Sequence, residues 1–229
     1  MSANSAYRTL VAPPIWRYPR QPSKFFKMLY LNAKVKMETL VVMLAFKFNS
    51  CPRPFRSLPI FKAHRASAIP TAKALHARMS EALAAGDKET LRAICIPEMF
   101  RSLAHVIDNR GPNIRAEWEV LSYDRSWYYP RLADWRVMMI PIPNRPARNV
   151  KQAVVSISSV QRIARYDLSR GGAKIEGSER VRHLLEHIVL QAEIDDKTWE
   201  HGPWRIWGTL PEDTLESFLK QEADIRAVS

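Results

Sequence analysis

The first stretch after residue 70 has the apolar spacing of a helix. Leu75, Met79 and Leu83 recur every four residues, and Gly86 follows them as a helix stop. We expect the helix to begin at Thr71, directly after a proline, because a threonine hydroxyl is a good N-cap. The pattern therefore predicts one helix over about 71–85.

A second helical stretch follows without a gap. Asp87 predicts its N-cap, Leu91 and Leu103 lie on its apolar side, and Pro97 breaks it between them. Gly111 marks its end. Two consecutive helices joined by a Gly-Asp turn predict a helical hairpin.

Beyond residue 112 the apolar period changes from that of a helix to that of a strand. Residues 114–120 alternate apolar side chains with Arg and Glu, and a phase slip at Val120–Leu121 predicts a bulge. Further strands are predicted around residues 135–139, 153–157, 188–194 and 204–206, with loops at 141–146 and 169–182. Pro211 predicts the start of a last helix. A helical hairpin, an antiparallel meander and a terminal helix predict an α+β fold with helices packed on one curved sheet.

The segment 25–48 also has helical spacing, and its apolar stripe consists of Phe25, Leu29, Val35, Met37, Leu40, Leu44 and Phe48. Such a helix either covers a membrane or a partner, or packs on its own domain. Residues 51–70 are broken by prolines and predict a tether rather than a core element. We therefore divide the chain into residues 1–70, an arm with a helix and a connector, and residues 71–229, a domain expected to fold alone.

Charge separates the same two regions. The chain carries a net charge of +12, and residues 1–70 hold twelve basic side chains against one acid, Glu38. The remaining 159 residues hold 23 basic and 22 acidic side chains, so they are nearly neutral. This asymmetry predicts a polyanionic partner for the first region, either nucleic acid or an anionic membrane surface.

The first 24 residues combine arginine, proline and aromatic residues with no acid. Their prolines favour an extended arm, in which basic groups meet phosphates and Tyr7, Trp16 and Tyr18 stack on unpaired bases. A mitochondrial transit peptide is the other interpretation, but the proline spacing does not suit its amphipathic helix. The predicted RNA-binding residues are Arg8, Arg17, Arg20, Lys24, Lys27, Lys34, Lys36, Arg53 and Arg56.

Candidate chemistry is sparse in the sequence. Tyr123, Asp124, His105 and Tyr166 could serve a catalytic pocket, but Tyr123 and Asp124 are strand neighbours that point to opposite faces. The two cysteines lie in unrelated contexts, so they predict free thiols, with Cys95 buried, rather than a disulfide or zinc site. The longest apolar run, residues 40–46, is too short to cross a bilayer. We expect no enzyme activity, cofactor, metal or small-molecule substrate.

A family resemblance rests on four features: GDKETLRAIC at 86–95, a broken second helix, tryptophan-rich strands, and HGPWRIWGTLPEDTLESF at 201–218. Together they resemble a Tim-forty-four-like domain over about residues 71–225. This domain belongs to the cone-shaped superfamily typified by nuclear transport factor two. The resemblance implies an antiparallel sheet wrapped around the helical hairpin.

Two kinds of mitochondrial protein carry this domain, and the resemblance implies one of their functions. The first is a large-subunit ribosomal protein, similar to the fungal inner-membrane ribosome receptor, which lies near the polypeptide tunnel exit. Its implied partners are rRNA, neighbouring ribosomal proteins, the inner-membrane surface and the membrane insertase, on the matrix side. The second is the matrix-side anchor of the protein-import motor. The short, acid-poor arm favours the ribosomal function, and a small-molecule-binding or catalytic cone protein is the remaining alternative.

Overall fold

The computed structural model describes residues 11–53, 57–111, 113–124, 127–142 and 145–228. In these ranges the chain is α+β, with five α-helices and an open antiparallel sheet of six strands. The helices are α1 (Pro22–Asn49), α2 (Arg65–Ala85), α3 (Lys88–Ile94), α4 (Pro97–Asp108) and α5 (Leu215–Val228). The strands are β1 (Ile114–Tyr123), β2 (Arg131–Ile142), β3 (Arg145–Asp167), β4 (Ala173–Lys174), β5 (Arg180–Ile194) and β6 (Arg205–Leu210).

The long strand β3 organises the sheet. Its first half pairs with β2 and its second half with β1, while β5 pairs along most of its other side and β6 follows β5. The sequence predicted a proline loop at 141–146, but β2 runs to Ile142 and β3 starts at Arg145. Pro141 falls at a register shift of the edge strand β2, where a residue without an N–H is tolerated.

The β1 prediction is confirmed. Its side chains alternate between half-buried and exposed from Ile114 to Val120, and the register against β3 shifts between Val120 and Ser122. A strand with one face on the core needs this alternation, and the bulge preserves it when the apolar phase changes. The sequence pattern therefore located both the strand and its irregularity.

The helical hairpin is also present, but its first helix begins six residues earlier than predicted. Helix α2 starts at Arg65 and contains Pro70, which removes only one backbone hydrogen bond near the helix start. Ala68 and Ala72 on either side are fully buried, and this packing offsets the loss. The other end is as predicted: Gly86 has a φ of +78°, and the Asp87 carboxylate accepts hydrogen bonds from the backbone N–H groups of Glu89 and Thr90.

The main core lies between α2–α4 and one face of the sheet. Val155, Ile157, Ile188 and Leu190 supply the sheet side, and none is more than 1% exposed. Phe61, in the predicted tether, belongs to this core with 3% exposure. The connector is thus a core element, because its phenyl ring covers apolar surface that the hairpin leaves open.

A small apolar cluster on the opposite face of the sheet includes Val11. Val11 packs on Val154 and Val189, and its backbone N–H donates to the Asp213 carboxylate at 2.8 Å. Helix α5 starts at Leu215 rather than at Pro211, because Thr214 and Ser217 cap each other's backbone N–H groups.

Helix α1 runs beside the edge strand β2. It contributes to two apolar clusters, one shared with α5 and the other the main core. Met28, Leu31 and Val35 pack with Leu215 and Phe218 of α5. Further along, Met43 is part of the main core. A helix that covers an edge strand shields part of its border from pairing with another chain.

Candidate functional site

Helix α1 has a second apolar face, which points into solvent. We call it the outward face and define it by Phe26, Tyr30, Met37, Val41 and Leu44, which are 53–67% exposed. Their spacings of four, seven, four and three residues place them on one side of the helix, opposite the buried stripe. An exposed row of five large apolar side chains along one helix is typical of a docking site.

Lysines border the outward face along both sides. At 100° per residue, Lys27 and Lys34 lie on one flank, and Lys36 and Lys47 lie on the other. Glu38 is the single acid of α1. An apolar strip between two rows of ammonium groups suits an interface that is apolar inside and anionic at its rim.

The sequence-predicted stripe overlaps this face only in part. Val35 is buried at 5% exposure, whereas Leu29, Met37, Leu40, Leu44 and Phe48 are 40–58% exposed. One of the two alternatives that the sequence left open is confirmed, because α1 packs on its own domain through its buried side. Contact of its exposed side with a membrane or a partner stays a prediction. Reasoning from a single stripe missed Phe26, Tyr30 and Val41, because the helix is apolar on two faces.

The structure spreads the predicted RNA-binding residues over the length of α1 and its flanks. Arg17, Arg20, Lys24 and Lys27 lie before or within the first turns, Lys34 and Lys36 lie mid-helix, and Arg53 follows its end. Since a helix rises 1.5 Å per residue, Lys24 and Arg53 are separated by most of a helix about 42 Å long. Arg8 and Arg56 lie outside the described residues.

The described part of the arm is bound to its own domain. Tyr18 is only 5% exposed, and its hydroxyl accepts a hydrogen bond from the Asn32 amide at 3.0 Å. It is therefore not available to stack on bases, contrary to prediction. Trp16 remains 58% exposed, and Tyr7 lies outside the described residues.

Trp16 meets an aromatic run from the β1–β2 connection. Its ring centroid lies 5.3 Å from that of Trp127 and 4.6 Å from that of Tyr128, and Tyr129 packs on Tyr128 at 5.0 Å. We call these four side chains the ring cluster. Trp127 is 87% exposed, so its indole ring lies almost wholly in water. Sequence reasoning missed this surface, which the run Trp-Tyr-Tyr-Pro at 127–130 could have indicated.

Two arginines hold the ring cluster in place. The Arg131 guanidinium carbon lies 4.4 Å from the Tyr128 ring centroid, and the same side chain donates to the Ala12 carbonyl at 2.7 Å. Arg17 pairs with Glu212 at 3.1 Å. Segments far apart in sequence are thus fixed to one another around the exposed tryptophan rings.

A polar group occupies the sheet face opposite the main core. The Asp124 carboxylate accepts from the Ser158 hydroxyl at 2.5 Å and contacts His183 Nε2 at 2.5 Å. The hydrogen bond from Ser158 is the largest cause of a lowered pKa for the Asp124 carboxyl, and the hydrogen bond from His183 is the next. In a nucleophilic triad, histidine separates serine from aspartate through its two ring nitrogens. Here one nitrogen faces both groups and the serine donates directly to the aspartate, so the arrangement lacks a proton relay.

The other residues considered for catalysis lie apart from this group. Tyr123 faces the main core under the Lys73 ammonium, which lies 4.1 Å from its ring centroid. Asp124 binds on the other face, as strand alternation predicted. His105 of α4 contacts Asn109, which directly follows the helix, and Tyr166 lies on β3 opposite Arg115.

One buried ionisable group was missed from the sequence. Lys151 of β3 is fully buried, and its ammonium has no hydrogen-bond partner among the described residues. Burial lowers its pKa from 10.5 to about 8. A lysine between Val150 and Gln152 gives no sign in the sequence of such a position.

Metal and membrane-spanning features are absent from the described part of the chain. No three His, Cys, Asp or Glu side chains there converge as metal ligands. None of the helices in these ranges combines the length and apolarity needed to cross a bilayer. Both cysteines are free, and burial raises the pKa of the Cys95 thiol to about 11.

Comparisons with known proteins give no family for this chain. No protein-family model matches it, and no curated protein matches it. Among solved structures, a similar chain is the intermembrane space region of the chloroplast protein ARC6, at 11% identity and a TM-score of 0.33. The match covers 62% of this chain and 94% of that one. A likeness this weak carries no argument about fold family or function.

Proposed function

We propose that the chain is a non-catalytic adaptor of the mitochondrial large ribosomal subunit, which binds rRNA near the tunnel exit and helps attach the ribosome to the inner membrane. The outward face of α1 is the observation that carries this proposal. It is an exposed apolar surface bordered by lysines, on a helix that is itself anchored to the domain by its other face.

The chemistry of this face favours an anionic membrane surface. Aromatic and aliphatic side chains such as Phe26, Tyr30 and Leu44 enter the boundary between headgroups and acyl chains, while lysines contact phosphates. Each basic residue adds at most about 1 kcal/mol, and salt reduces that contribution. We therefore expect peripheral attachment, strengthened by the ribosome and by the membrane insertase.

The basic first third of the chain supports the rRNA part of the proposal. Its excess of +11 is large enough to release several counterions from RNA. The domain is proposed to be a Tim-forty-four-like cone, since one long strand that pairs with four others carries a helical hairpin on one face. The matrix side of the inner membrane is the proposed location.

The proposal is tested by flotation and co-sedimentation of one set of variants. A triple variant, F26E/M37E/L44E, places acids on the outward face. The matched control, L58E/V106E/V181E, places the same acids at apolar positions that are exposed elsewhere at 52–88%. Vesicles of phosphatidylcholine with and without cardiolipin serve as the membrane, and isolated mitochondrial large subunits serve as the ribosomal partner.

We expect wild type and the control to float with cardiolipin vesicles and to be released by salt, and the triple variant to stay at the bottom. All three should co-sediment with large subunits. Flotation of the triple variant at the wild-type level would refute the membrane role of α1. Failure of the wild-type chain to co-sediment with large subunits would refute the ribosomal role, and recovery with matrix chaperones instead would favour the import motor.

A further inference from the structure

The two exposed tryptophan rings of the ring cluster form a surface that the proposed membrane contact does not use. Trp16 and Trp127 come from different parts of the chain, yet their ring centroids lie 5.3 Å apart at an interplanar angle of 47°. Large aromatic rings left in water are unfavourable unless a partner covers them. Their juxtaposition therefore calls for a ligand with apolar, planar faces.

Contacts within the chain hold the side chains of this surface. Tyr128 packs on both tryptophan rings, and Arg131, three residues further along, covers Tyr128 while it donates to the Ala12 carbonyl. The hydrogen bond from the Val11 N–H to Asp213 holds the segment that precedes Trp16. Side chains that are already ordered lose little conformational entropy on binding, which favours affinity.

Charge around the rings indicates the class of ligand. Arg17 follows Trp16 directly, the exposed Arg20 lies four residues after Trp16, and Lys24 lies in the first turn of α1. The acid in contact, Glu212, is held by Arg17 at 3.1 Å. Aromatic faces beside guanidinium and ammonium groups match unpaired nucleotides, which present planar bases and phosphates together.

Location separates this surface from the outward face of α1. Tyr18, two residues after Trp16, packs with Met28 and Leu31 on the inward side of the helix. The segment that carries Trp16 is therefore anchored on the side of α1 away from the outward face. A membrane against the outward face leaves the ring cluster available to a second partner.

We propose that Trp16 and Trp127 form a stacking platform for unpaired bases of RNA, with Arg17 and Arg20 contacting the neighbouring phosphates. The platform rests on the proposed function as an rRNA-binding adaptor and states which surface meets single-stranded nucleotides. Recognition by stacking tolerates any base sequence, because every base has an aromatic face.

The test measures binding of the full chain to a fluorescent single-stranded RNA of about a dozen nucleotides, a length within reach of such grooves. Variants are W16A, W127A and the conservative W127F. The control is L58A, because Leu58 is 88% exposed, like Trp127, but lies outside the ring cluster. The same RNA annealed to its complement serves as a ligand without unpaired bases.

Stacking of one base is worth about 1–3 kcal/mol, so W127A and W16A should each weaken binding by about 5- to 150-fold. W127F should keep most of the affinity, and L58A should match wild type. The duplex should bind more weakly and should not respond to W127A. Unchanged thermal unfolding would show that W127A is folded, as expected for an exposed side chain.

Single-stranded RNA binding by W16A and W127A at the wild-type level would overturn the platform. Loss of vesicle flotation in W127A without loss of RNA binding would also overturn it and assign the rings to lipid. If the variants lose RNA binding but wild type fails to co-sediment with large subunits, the platform stands and the ribosomal proposal fails. If wild type co-sediments with large subunits but W16A and W127A bind single-stranded RNA as wild type does, the platform fails and the ribosomal proposal stands.

Discussion

The ammonium nitrogen of Lys151 lies 4.9 Å from the centroid of the Trp204 ring, in a position with no solvent exposure. The ring face gives partial compensation for the lost hydration of the charge. Nearby His64 and His201 offer no negative charge, and Lys151 itself contributes to lowering the pKa of His64, after desolvation. The lysine is therefore a destabilising element inside the main core.

We predict that Lys151 makes stability rise with pH above 8. Below pH 8 the amine is protonated in both the folded and the unfolded states. Between about 8 and 10.5 only the unfolded state keeps the proton, so raising the pH favours the folded state. The difference in unfolding free energy between wild type and K151M, measured by urea denaturation from pH 7 to 10.5, isolates this contribution. A difference that stays constant over this range would contradict the depressed pKa.

We also predict that K151M is more stable than wild type at pH 7. The shift of the Lys151 pKa corresponds to about 3 kcal/mol of destabilisation for the charged form, so its removal should recover a gain of that order. K151R serves as the control, because it keeps a charge in the same place and should be no more stable than wild type. A lower denaturation midpoint for K151M would mean that the ammonium is stabilised by its surroundings.

The contact between α1 and α5 predicts a large loss of stability in F218A. Phe218 is fully buried against Met28, Leu31 and Val35, and truncation of a buried phenyl ring costs about 3–5 kcal/mol. L168A is the matched control, since Leu168 is 52% exposed and should change stability little. Chemical denaturation measures both. Equal midpoints for F218A and wild type would show that α1 and α5 do not stabilise the domain.

Removal of residues 1–49 should unfold or strongly destabilise the rest of the chain. It deletes Val11, Met28, Leu31, Val35 and Met43, which are buried in three separate apolar clusters. The domain from residue 71 is therefore not expected to fold alone, in contrast to the expectation from the sequence. Circular dichroism and thermal unfolding of the truncated chain test this. A cooperative unfolding transition at the wild-type temperature would support the division that the sequence predicted, into residues 1–70 and an independently folding domain at 71–229.

Binding of the full chain to large subunits should weaken steeply with salt. Twelve basic side chains against one acid in the first 70 residues release counterions from RNA, so the logarithm of affinity should fall linearly with that of salt concentration. Replacing Arg20, Lys24 and Lys27 by glutamine should reduce the slope, whereas replacing Arg170, Arg180 and Arg182 should not. Equal slopes would place the RNA contact outside the first turns of α1.

Local signals were sufficient for the helical hairpin and for much of the sheet. Asp87 caps α3 through its own carboxylate, Gly86 ends α2 at a positive φ, and β1 shows its bulge in its apolar phase. Each of these features depends on residues within a few positions of one another. The sequence could also locate the charge asymmetry, since charge is additive along the chain.

Features that involve both sides of an element required the tertiary structure. The sequence predicted one apolar stripe on α1. The helix instead has a buried side, which belongs to two apolar clusters, and an exposed outward face. Composition alone does not say which side is covered. The start of α2 before Pro70 and the length of β3 were missed for a related reason. In both elements, the tendency of proline to interrupt a helix or a strand is outweighed by packing against segments distant in the chain.

The sequence by itself determined the α+β class, the hairpin, the phase of β1 and the basic first third of this protein. Only the tertiary structure decided that Trp16 meets Trp127, that Asp124 meets Ser158 and His183, and that Lys151 is buried beside Trp204. The physical reason is the range of the interactions. Caps, turns and alternation act between near neighbours in the chain, whereas burial and side-chain contact depend on which distant segments the fold brings together.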